Sequence, residues 1–344
     1  MSAGRPGIAD LDTGPLKQFL DGHFGETCPM RLERIAGGQS NPTFFLDHGT
    51  RRMVLRKQPG GAILKGAHAV DREFRVMSAL ASTDVPVPAP VHYHAGSDIL
   101  GTPFYLMERL DGRVFHDAAL PGIAPSERRA IFTAMASVLA KLHRIDPEEV
   151  GLGDFGRPGN YFARQIARWS KQWVESPTRD IAALDWLADW LLENLPPDDG
   201  QVSIAHGDFR LGNLMFHPSE PRVIAILDWE LSTLGHPLAD LGFCLMTWHS
   251  TADEYRGILG LDLAALGIPF QSEFIDAYYA QARPTGPIGP FHVAFSLFRF
   301  AVIFVGIADR VRQGNAAGDD AGELGALAAR FAEIGVRIAR QRTL

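Results

Sequence analysis

The sequence changes character near residue 112. Before that point, short segments of alternating apolar residues are separated by glycine-containing turns, a pattern typical of antiparallel strands. The predicted strands are 30–35, 43–49, 52–57 and 102–112. After it, helical periodicity dominates. The pattern predicts an α+β chain with two lobes, an N-terminal antiparallel sheet lobe at 1–108 and a larger, mostly helical C-terminal lobe at 109–344.

Helices are predicted in both lobes. The first lobe has a leading helix around Leu16–Leu20 and a helical repeat at 68–80, followed by a proline-rich link at 85–90 that cannot be helical. The second lobe contains a strand-rich island at 202–230 among helical segments. Those segments are 126–143, 160–175, 180–194, 236–250, 271–282, 290–313 and 320–340.

Composition narrows the function classes. The net charge of -7 gives no basic field, so we expect no nucleic-acid partner. Cys28 and Cys244 lack metal-binding spacing, which argues against a disulfide framework or zinc site and favours a reducing, cytoplasmic location. The N-terminus has no signal-peptide pattern. The most apolar stretch, FRFAVIFVGIA, carries Arg299 and is interpreted as a buried helix, so no membrane partner is expected.

The segment HGDFRLGN, residues 206–213, combines groups suited to phosphoryl transfer. Asp208 on a glycine-containing loop can accept the proton of an attacking hydroxyl. Asn213 follows five residues later, and Asp228 ends a run of β-formers in ILDWE. Amide and carboxylate oxygens suit Mg²⁺, which keeps its other positions for water and substrate phosphates. A base, then an asparagine, then a metal-binding aspartate is the order found in kinase catalytic machinery.

Through these residues the chain resembles the aminoglycoside phosphotransferase and choline kinase family, which has a protein-kinase-like fold and phosphorylates small molecules. HGD stands where protein kinases carry HRD, and DWE where they carry DFG. The resemblance covers residues 30 to 315 and implies a kinase with Asp208 as catalytic base, and Asn213 and Asp228 as Mg²⁺ ligands. It also implies ATP or GTP as donor and a small-molecule hydroxyl as acceptor.

The resemblance assigns nucleotide contacts to the first lobe. Gly38 and Ser40, in GGQSN, correspond to the loop that covers ATP phosphates, although a plain hairpin turn explains them equally well. Arg56, in MVLR, takes the position of the phosphate-binding lysine, with Lys57 beside it. Because alternate residues of a strand share a face, Arg56 lies on the side of Val54, the candidate adenine contact, and Arg56 is favoured over Lys57.

Two further assignments complete the predicted nucleotide site. Glu73 corresponds to the helix glutamate that holds the phosphate-binding cation in an ion pair, although a surface carboxylate is the alternative. MERLDG, residues 107–112, resembles the hinge that binds adenine through its main chain, with Glu108 C=O and Leu110 N–H as the candidate groups.

Other polar residues of the motifs receive structural roles. His206 is expected to brace the catalytic loop, Asp240 to anchor it from a buried position, and Glu230 to form a salt bridge. In GNYFARQIARWSKQW, a stripe of side chains spaced four apart is interpreted as core rather than as a ligand site. Its members are Tyr161, Gln165, Trp169 and Trp173.

The acceptor is the least determined part. Arg299, Arg310 and Arg312 on an otherwise apolar helix favour an anionic acceptor. The chain also resembles the kinase domains related to those fused to acyl-CoA dehydrogenases, which implies a hydroxyacyl-CoA or a hydroxy acid. Two alternatives stay open: an aminoglycoside O-phosphotransferase of antibiotic resistance, and a nucleotide-binding protein without turnover. The sequence gives no oligomeric state.

Overall fold

The computed structural model describes residues 12–35, 41–61, 68–157, 159–177, 179–255, 257–283, 285–312 and 321–344. Gly38 and Ser40, predicted to cover the phosphates, lie outside these described residues. The chain divides into two compact units. The first comprises Met1–Gly112 and Ala225–Glu230, and the second comprises Arg113–Ile224 and Leu231–Leu344. The lobe limit at residue 108 stays a prediction.

The first unit is built on a five-stranded antiparallel sheet with strand order β1-β2-β3-β5-β4. Its elements are α1 (Gly14–Phe24), β1 (Met30–Arg34), β2 (Thr43–His48), β3 (Arg51–Lys57), α2 (Val70–Leu80), β4 (Pro90–His94) and β5 (Phe104–Glu108). The predicted meander β1-β2-β3 is confirmed. Strand β4 was not predicted, because its first residue, Pro90, belongs to the proline-rich link; proline is tolerated at the first residue of an edge strand.

Helices cover the sheet of the first unit. Leu16 and Leu20 of α1 are fully buried in an apolar cluster with Leu46, Leu55 and Phe104. Helix α2 packs against β4 and β5, where its Phe74 ring stacks on Tyr93 with ring centroids 5.7 Å apart. On β3, Met53 and Leu55 belong to this apolar cluster. Because alternate strand residues share a face, Val54 and Arg56 lie on the opposite side, where the polar site described below is found.

The second unit is mostly helical. Its helices are α3 (Pro125–Arg144), α4 (Tyr161–Val174), α5 (Ala182–Glu193), α6 (Pro237–His249), α7 (Leu263–Leu266), α8 (Gln271–Tyr279), α9 (Pro290–Arg312) and α10 (Ala321–Ala339). The short strands are β6 (Arg113–Val114), β7 (Ser203–Ala205), β8 (Leu214–Phe216), β9 (Val223–Ile226), which ends in the first unit, and β10 (Thr233–Gly235). Every helix predicted for this unit is present, and only the one-turn α7 was not expected.

Helix α9 forms the centre of the second unit. It packs against α4, α5, α6 and α10. By length and hydropathy it is the one helix among the described residues that could cross a membrane, but 78% of its most apolar window is buried inside the protein. A core helix meets the same test, so α9 is weak evidence for a membrane span. Its 23 residues exceed the short apolar stretch seen in the sequence, and the expectation that this stretch is buried is confirmed.

Candidate active site

Arg56 lies at the centre of a buried polar cluster in the first unit. Its Nε is 2.8 Å from Glu73 Oε2, so the predicted ion pair is present. Glu73 is only 1% exposed and also accepts hydrogen bonds from Tyr105 Oη at 3.0 Å and from Asn41 Nδ2 at 2.6 Å. Burial raises the pKa of Glu73, while Arg56 and these two donors act in the opposite direction. The cluster fixes the guanidinium in one orientation.

The same guanidinium contacts Asp228. Arg56 Nη2 donates a hydrogen bond to Asp228 Oδ1 at 2.8 Å, and Glu230 Oε2 lies 3.8 Å away. Burial alone would lower the pKa of Arg56, but the carboxylates of Glu73, Asp228 and Glu230 outweigh it and raise that pKa, so the side chain stays charged. Asp228 has φ of 64°, in the left-handed region, where a non-glycine residue is strained. Strain of this kind is frequent at functional sites.

Lys57 points away from this cluster. In the register of β3 with β5, Arg56 pairs with Tyr105 and Lys57 pairs with Phe104, a member of the apolar cluster. Lys57 is 9% exposed, and burial lowers the pKa of its amine. The strand alternation predicted from the sequence therefore places Arg56, and not Lys57, beside Glu73 and Asp228.

The remaining predicted nucleotide contacts lie along the same strands. Val54 is 7% exposed and shares the strand face of Arg56. Glu108 ends β5, with its backbone N–H bonded to Ala89 O at 2.8 Å, and Leu110 follows two residues later. Their role in binding adenine stays a prediction.

In the second unit, Asp208 and Asn213 are held together. Asn213 Nδ2 donates to Asp208 Oδ2 at 2.7 Å and to Asp208 O at 2.9 Å. The short 3₁₀ turn Leu211–Asn213 brings the two side chains to this distance. With its Nδ2 group engaged, the Asn213 amide presents Oδ1 as its acceptor. Asp208 Oδ2 also faces Arg210 Nε at 3.3 Å. The contacts with Asn213 and Arg210 both involve Oδ2 of Asp208 and not its other carboxylate oxygen, Oδ1.

Asp240 anchors the backbone that leads into Asp208, as the sequence interpretation expected. It is 1% exposed and accepts hydrogen bonds from the backbone N–H groups of His206 at 2.6 Å and Gly207 at 2.9 Å. His143 Nε2 lies 3.3 Å from the same carboxylate. Burial raises the pKa of Asp240, but the hydrogen bonds from His143 and the loop outweigh it and keep that pKa below its usual value. The charged acceptor therefore persists inside the core.

His206 and Gly207 complete the rigid loop. His206 is fully buried, and its Nδ1 accepts from Asp208 N at 3.2 Å, which fits the expected bracing role. Gly207 has φ of 83°, and a Cβ there would lie 2.7 Å from Leu231 O. No residue with a side chain fits this position without a shift of the backbone.

Arg299 bonds a backbone carbonyl of the loop that leads into Asp208. Its Nη2 donates to Gly207 O at 2.7 Å from a side chain that is 9% exposed. Of the three arginines of α9 that were taken to favour an anionic acceptor, Arg299 is therefore one that pairs inside the protein, where it holds the loop that carries Asp208. Arg312 Nη1 faces Asp309 Oδ1 at 3.3 Å, whereas Arg310 is exposed and forms no ion pair with any described residue.

The aromatic stripe of α4 is core, as interpreted. Tyr161 and Trp169 are each 8% exposed and Trp173 is 1% exposed. Gln165 accepts from Trp169 Nε1 at 3.2 Å. These side chains therefore support α4 rather than form an aromatic ligand box.

Sequence reasoning missed three residues of the two clusters. Arg210 could have been found as the positively charged residue two positions after Asp208. Asn41 ends the quoted GGQSN turn, and Tyr105 lies between two other buried residues of β5. None carries a periodic signal, because each acts through one non-local or loop contact.

The donor groups of Asn213, in the second unit, and of Asp228, in the first, are each of the kind that Mg²⁺ prefers. The Asn213 amide and the Asp228 carboxylate are oxygen donors, and each has one side-chain atom already oriented by a neighbour. No group of three or more His, Cys, Asp or Glu side chains suited to a metal occurs in the part of the chain that the structure describes. A set of one amide and one carboxylate is what a hard ion that is also bound to substrate phosphates needs.

Comparison with known proteins decides the family. The model of the APH family, described as the phosphotransferase enzyme family, matches residues 31–285. The chain belongs to this phosphotransferase family. The resemblance, the kinase-like fold and the assignment as a small-molecule kinase are thereby confirmed.

Relatives and solved structures agree with this assignment. Acyl-CoA dehydrogenase family member 10 of Mus musculus is 42% identical over 93% of the chain, which spans only 30% of that protein. A crystal structure from Ralstonia eutropha JMP134, described as a candidate aminoglycoside phosphotransferase, is 46% identical with a TM-score of 0.87, covering 96% of this chain and 98% of that one. The APH(4)-Ia complex with AMP-PNP and hygromycin B, at 15% identity and a TM-score of 0.62 over 96% and 100% of the two chains, shares the fold.

Proposed function

We propose that this phosphotransferase transfers the γ-phosphoryl group of ATP, with Mg²⁺, to the hydroxyl of a hydroxyacyl-CoA or a hydroxy acid. The observation that carries the proposal is the pairing of Asp208 with Asn213, whose amide bonds one carboxylate oxygen at 2.7 Å. This geometry leaves the other oxygen oriented for a hydroxyl proton. A protein that only bound nucleotide would not need such a group.

The proposed reaction balances without another reactant. The acceptor oxygen forms a bond to the γ-phosphorus, the bond from that phosphorus to the ADP oxygen breaks, and the hydroxyl proton passes to Asp208. Arg210, 3.3 Å from Asp208 Oδ2, places positive charge beside the reacting groups. Catalysis then rests on orientation and charge, since the loop is fixed by Asp240 and Arg299.

The donor side rests on Arg56 and Asp228. Mg²⁺ would be held by Asn213 and Asp228 and would neutralise the phosphates. Arg56, kept charged by its carboxylate neighbours, would offset the remaining phosphate charge. The AMP-PNP and ADP complexes of the related fold support ATP as donor, and GTP is the competitor to compare in the same assay.

The anionic acceptor is supported by charge and by the relatives. Arg310 is exposed on α9, and Arg168 is exposed on α4, which packs against α9. An aminoglycoside is a polycation and would be repelled by such a surface. The relative that belongs to an acyl-CoA dehydrogenase family supports an acyl-CoA as the molecule to be phosphorylated.

An acceptor screen tests the proposal. ADP formation is measured with hydroxyacyl-CoAs, free hydroxy acids and aminoglycosides under identical conditions. We expect kcat/KM for an anionic acceptor to exceed that for any aminoglycoside at least about tenfold, a difference near 1.4 kcal/mol. Efficient phosphorylation of kanamycin-like polycations with inert hydroxyacyl-CoAs would establish the resistance enzyme instead. If the protein binds nucleotide but forms no ADP with any acceptor, the alternative of a nucleotide-binding protein without turnover is favoured.

A further inference from the structure

Two hydrogen-bond donors converge where α9 lacks a side chain. A Cβ built on Gly306 would lie 3.1 Å from Gln172 Nε2, which comes from α4, and 3.8 Å from Arg310 Nη1, one turn further along α9. We call this place, formed by Gly306, Gln172 and Arg310, the Gly306 notch. Because residues four apart on a helix share a face, the Arg310 side chain reaches back over Gly306.

The notch presents donors without an acceptor. Gln172 and Arg310 are both exposed, and within the described ranges neither side chain forms a hydrogen bond or an ion pair. The neighbouring carboxylate, Asp309, is 7% exposed, accepts from Ser176 Oγ at 2.7 Å and faces Arg312 Nη1 at 3.3 Å. Its charge is therefore directed to other partners. A guanidinium beside an amide N–H group is the donor set that binds an oxyanion.

The position of the notch relates it to the catalytic loop. Arg299, on the same helix, bonds Gly207 O beside Asp208. Arg310 follows eleven residues later, which at 1.5 Å per residue is about 16 Å along the helix axis. That distance equals roughly five residues of extended chain. A short hydroxy acid cannot span it, whereas a CoA thioester carries its phosphates at the end of a long, amide-containing arm.

We infer that the Gly306 notch is the subsite for a phosphate group of a CoA thioester whose acyl hydroxyl is phosphorylated at Asp208. This inference rests on the proposed function and names the part of the acceptor that α4 and α9 recognise. It selects the CoA thioester over the free hydroxy acid.

Gly306→Ala is the first test, because it separates binding from stability. The added methyl group fills the notch, and alanine favours a helix more than glycine does. We expect an unchanged or higher Tm, an unchanged KM for ATP, and a KM for the hydroxyacyl-CoA raised about tenfold, as for loss of a hydrogen bond to a charged group. Arg310→Ala should raise the same KM. Lys171→Ala, which removes an exposed cation next to Gln172 that is paired with Glu175 at 3.7 Å, is the matched control and should change neither KM.

The acceptor is then varied to identify the group that is bound. Hydroxyacyl-pantetheine, which lacks the phosphates, should be turned over by the unmodified protein with a raised KM that Gly306→Ala and Arg310→Ala no longer change. If both variants raise the KM for hydroxyacyl-pantetheine as much as for the CoA thioester, the notch does not bind phosphate and the inference is overturned. Unchanged KM values for the CoA thioester in both variants overturn it as well.

Direct binding keeps this test independent of turnover. Titration calorimetry measures the affinity of CoA itself for the unmodified protein and for the Gly306→Ala variant. Weaker binding to the variant supports the notch even if no hydroxyacyl-CoA is phosphorylated, an outcome that would defeat only the proposed function. Equal affinity contradicts the notch while leaving the kinase activity intact.

Discussion

Arg56 Nη2 lies 2.8 Å from Asp228 Oδ1, although 172 positions separate the two residues. Its Nε lies at the same distance from Glu73 Oε2. One planar guanidinium thus bridges a helix carboxylate and the carboxylate predicted to bind Mg²⁺. An ammonium group is a compact point charge and lacks the planar fork that makes these two contacts from separate nitrogens. The arginine in place of the usual kinase lysine therefore has a geometric reason.

Substitutions of Arg56 and its neighbour test this bridge. Arg56→Ala should raise the KM for ATP and lower kcat, because the phosphates lose their cation and Asp228 loses an orienting partner. Lys57→Ala should change neither constant much, since Lys57 lies opposite Phe104 on the other strand face. Steady-state kinetics with varied ATP measures both. If Lys57→Ala lost activity while Arg56→Ala kept near-normal kinetic constants, the nucleotide would lie on the opposite face of β3.

Replacing the two predicted metal ligands should weaken Mg²⁺-dependent nucleotide binding. We expect Asp228→Ala to have the larger effect, because a carboxylate is the stronger ligand, and Asn213→Ala to cost about tenfold. Asp228→Asn keeps an oxygen for Arg56 but removes the charge, so it separates loss of the metal from loss of the ion pair. Mg²⁺ is titrated against a nucleotide-binding signal. Unchanged Mg²⁺ dependence in all three variants would show that other residues hold the metal.

The anchoring of the catalytic loop should appear in turnover rather than in nucleotide affinity. Arg299→Met leaves Gly207 O without its buried donor, at a cost of about 1–3 kcal/mol in the free energy of unfolding. We expect kcat to fall while the KM for ATP stays unchanged, because the loop shifts Asp208. Arg222→Met, at an exposed arginine, is the control. A lower Tm with an unchanged kcat would show that Arg299 only supports the core.

Two buried histidines should make stability depend on pH. Burial lowers the pKa of His249 and of His292 from 6.5 to about 4. Above pH 6.5 both histidines are neutral whether the chain is folded or unfolded, so they do not lower the free energy of unfolding there. Between pH 6.5 and 4 only the unfolded chain takes up these protons, and each group costs up to about 1.4 kcal/mol per pH unit.

Denaturant unfolding at pH 7, 6 and 5 checks this dependence. The free energy of unfolding should fall with pH in the unmodified protein and fall less steeply in the His249→Gln and His292→Gln variants. Equal slopes for all three proteins would show that other groups cause the acid sensitivity.

The sheet, the helices and the catalytic loop could be predicted because their signals are local. Alternation and turns define β1, β2 and β3, and helical periodicity defines the long helices. Asp208 and Asn213 are five positions apart, so one short turn is enough to join them. Strand β4 was missed because its first residue, Pro90, belongs to the proline-rich link, although proline is tolerated at this position of an edge strand.

Most of the non-local contacts could not be predicted from the periodicity of the sequence. The pattern shows that Arg299 interrupts an apolar helix but not that Gly207 O lies opposite it. The Arg56–Glu73 pair followed from the family resemblance, whereas the contact of Arg56 with Asp228 depends on where β9 ends relative to β3. Such contacts are set by packing of distant segments, which periodicity does not encode.

Phosphoryl transfer by Asp208→Asn tests the central claim most directly. The substitution removes the proton acceptor but keeps the size of the side chain that Asn213 and Arg210 contact. Single-turnover transfer from ATP to the acceptor, measured alongside the Kd for ATP, should fall about 10²–10⁴-fold with the Kd unchanged. Near-normal transfer in this variant would contradict the assignment of Asp208 as the base and, with it, the mechanism proposed for this chain.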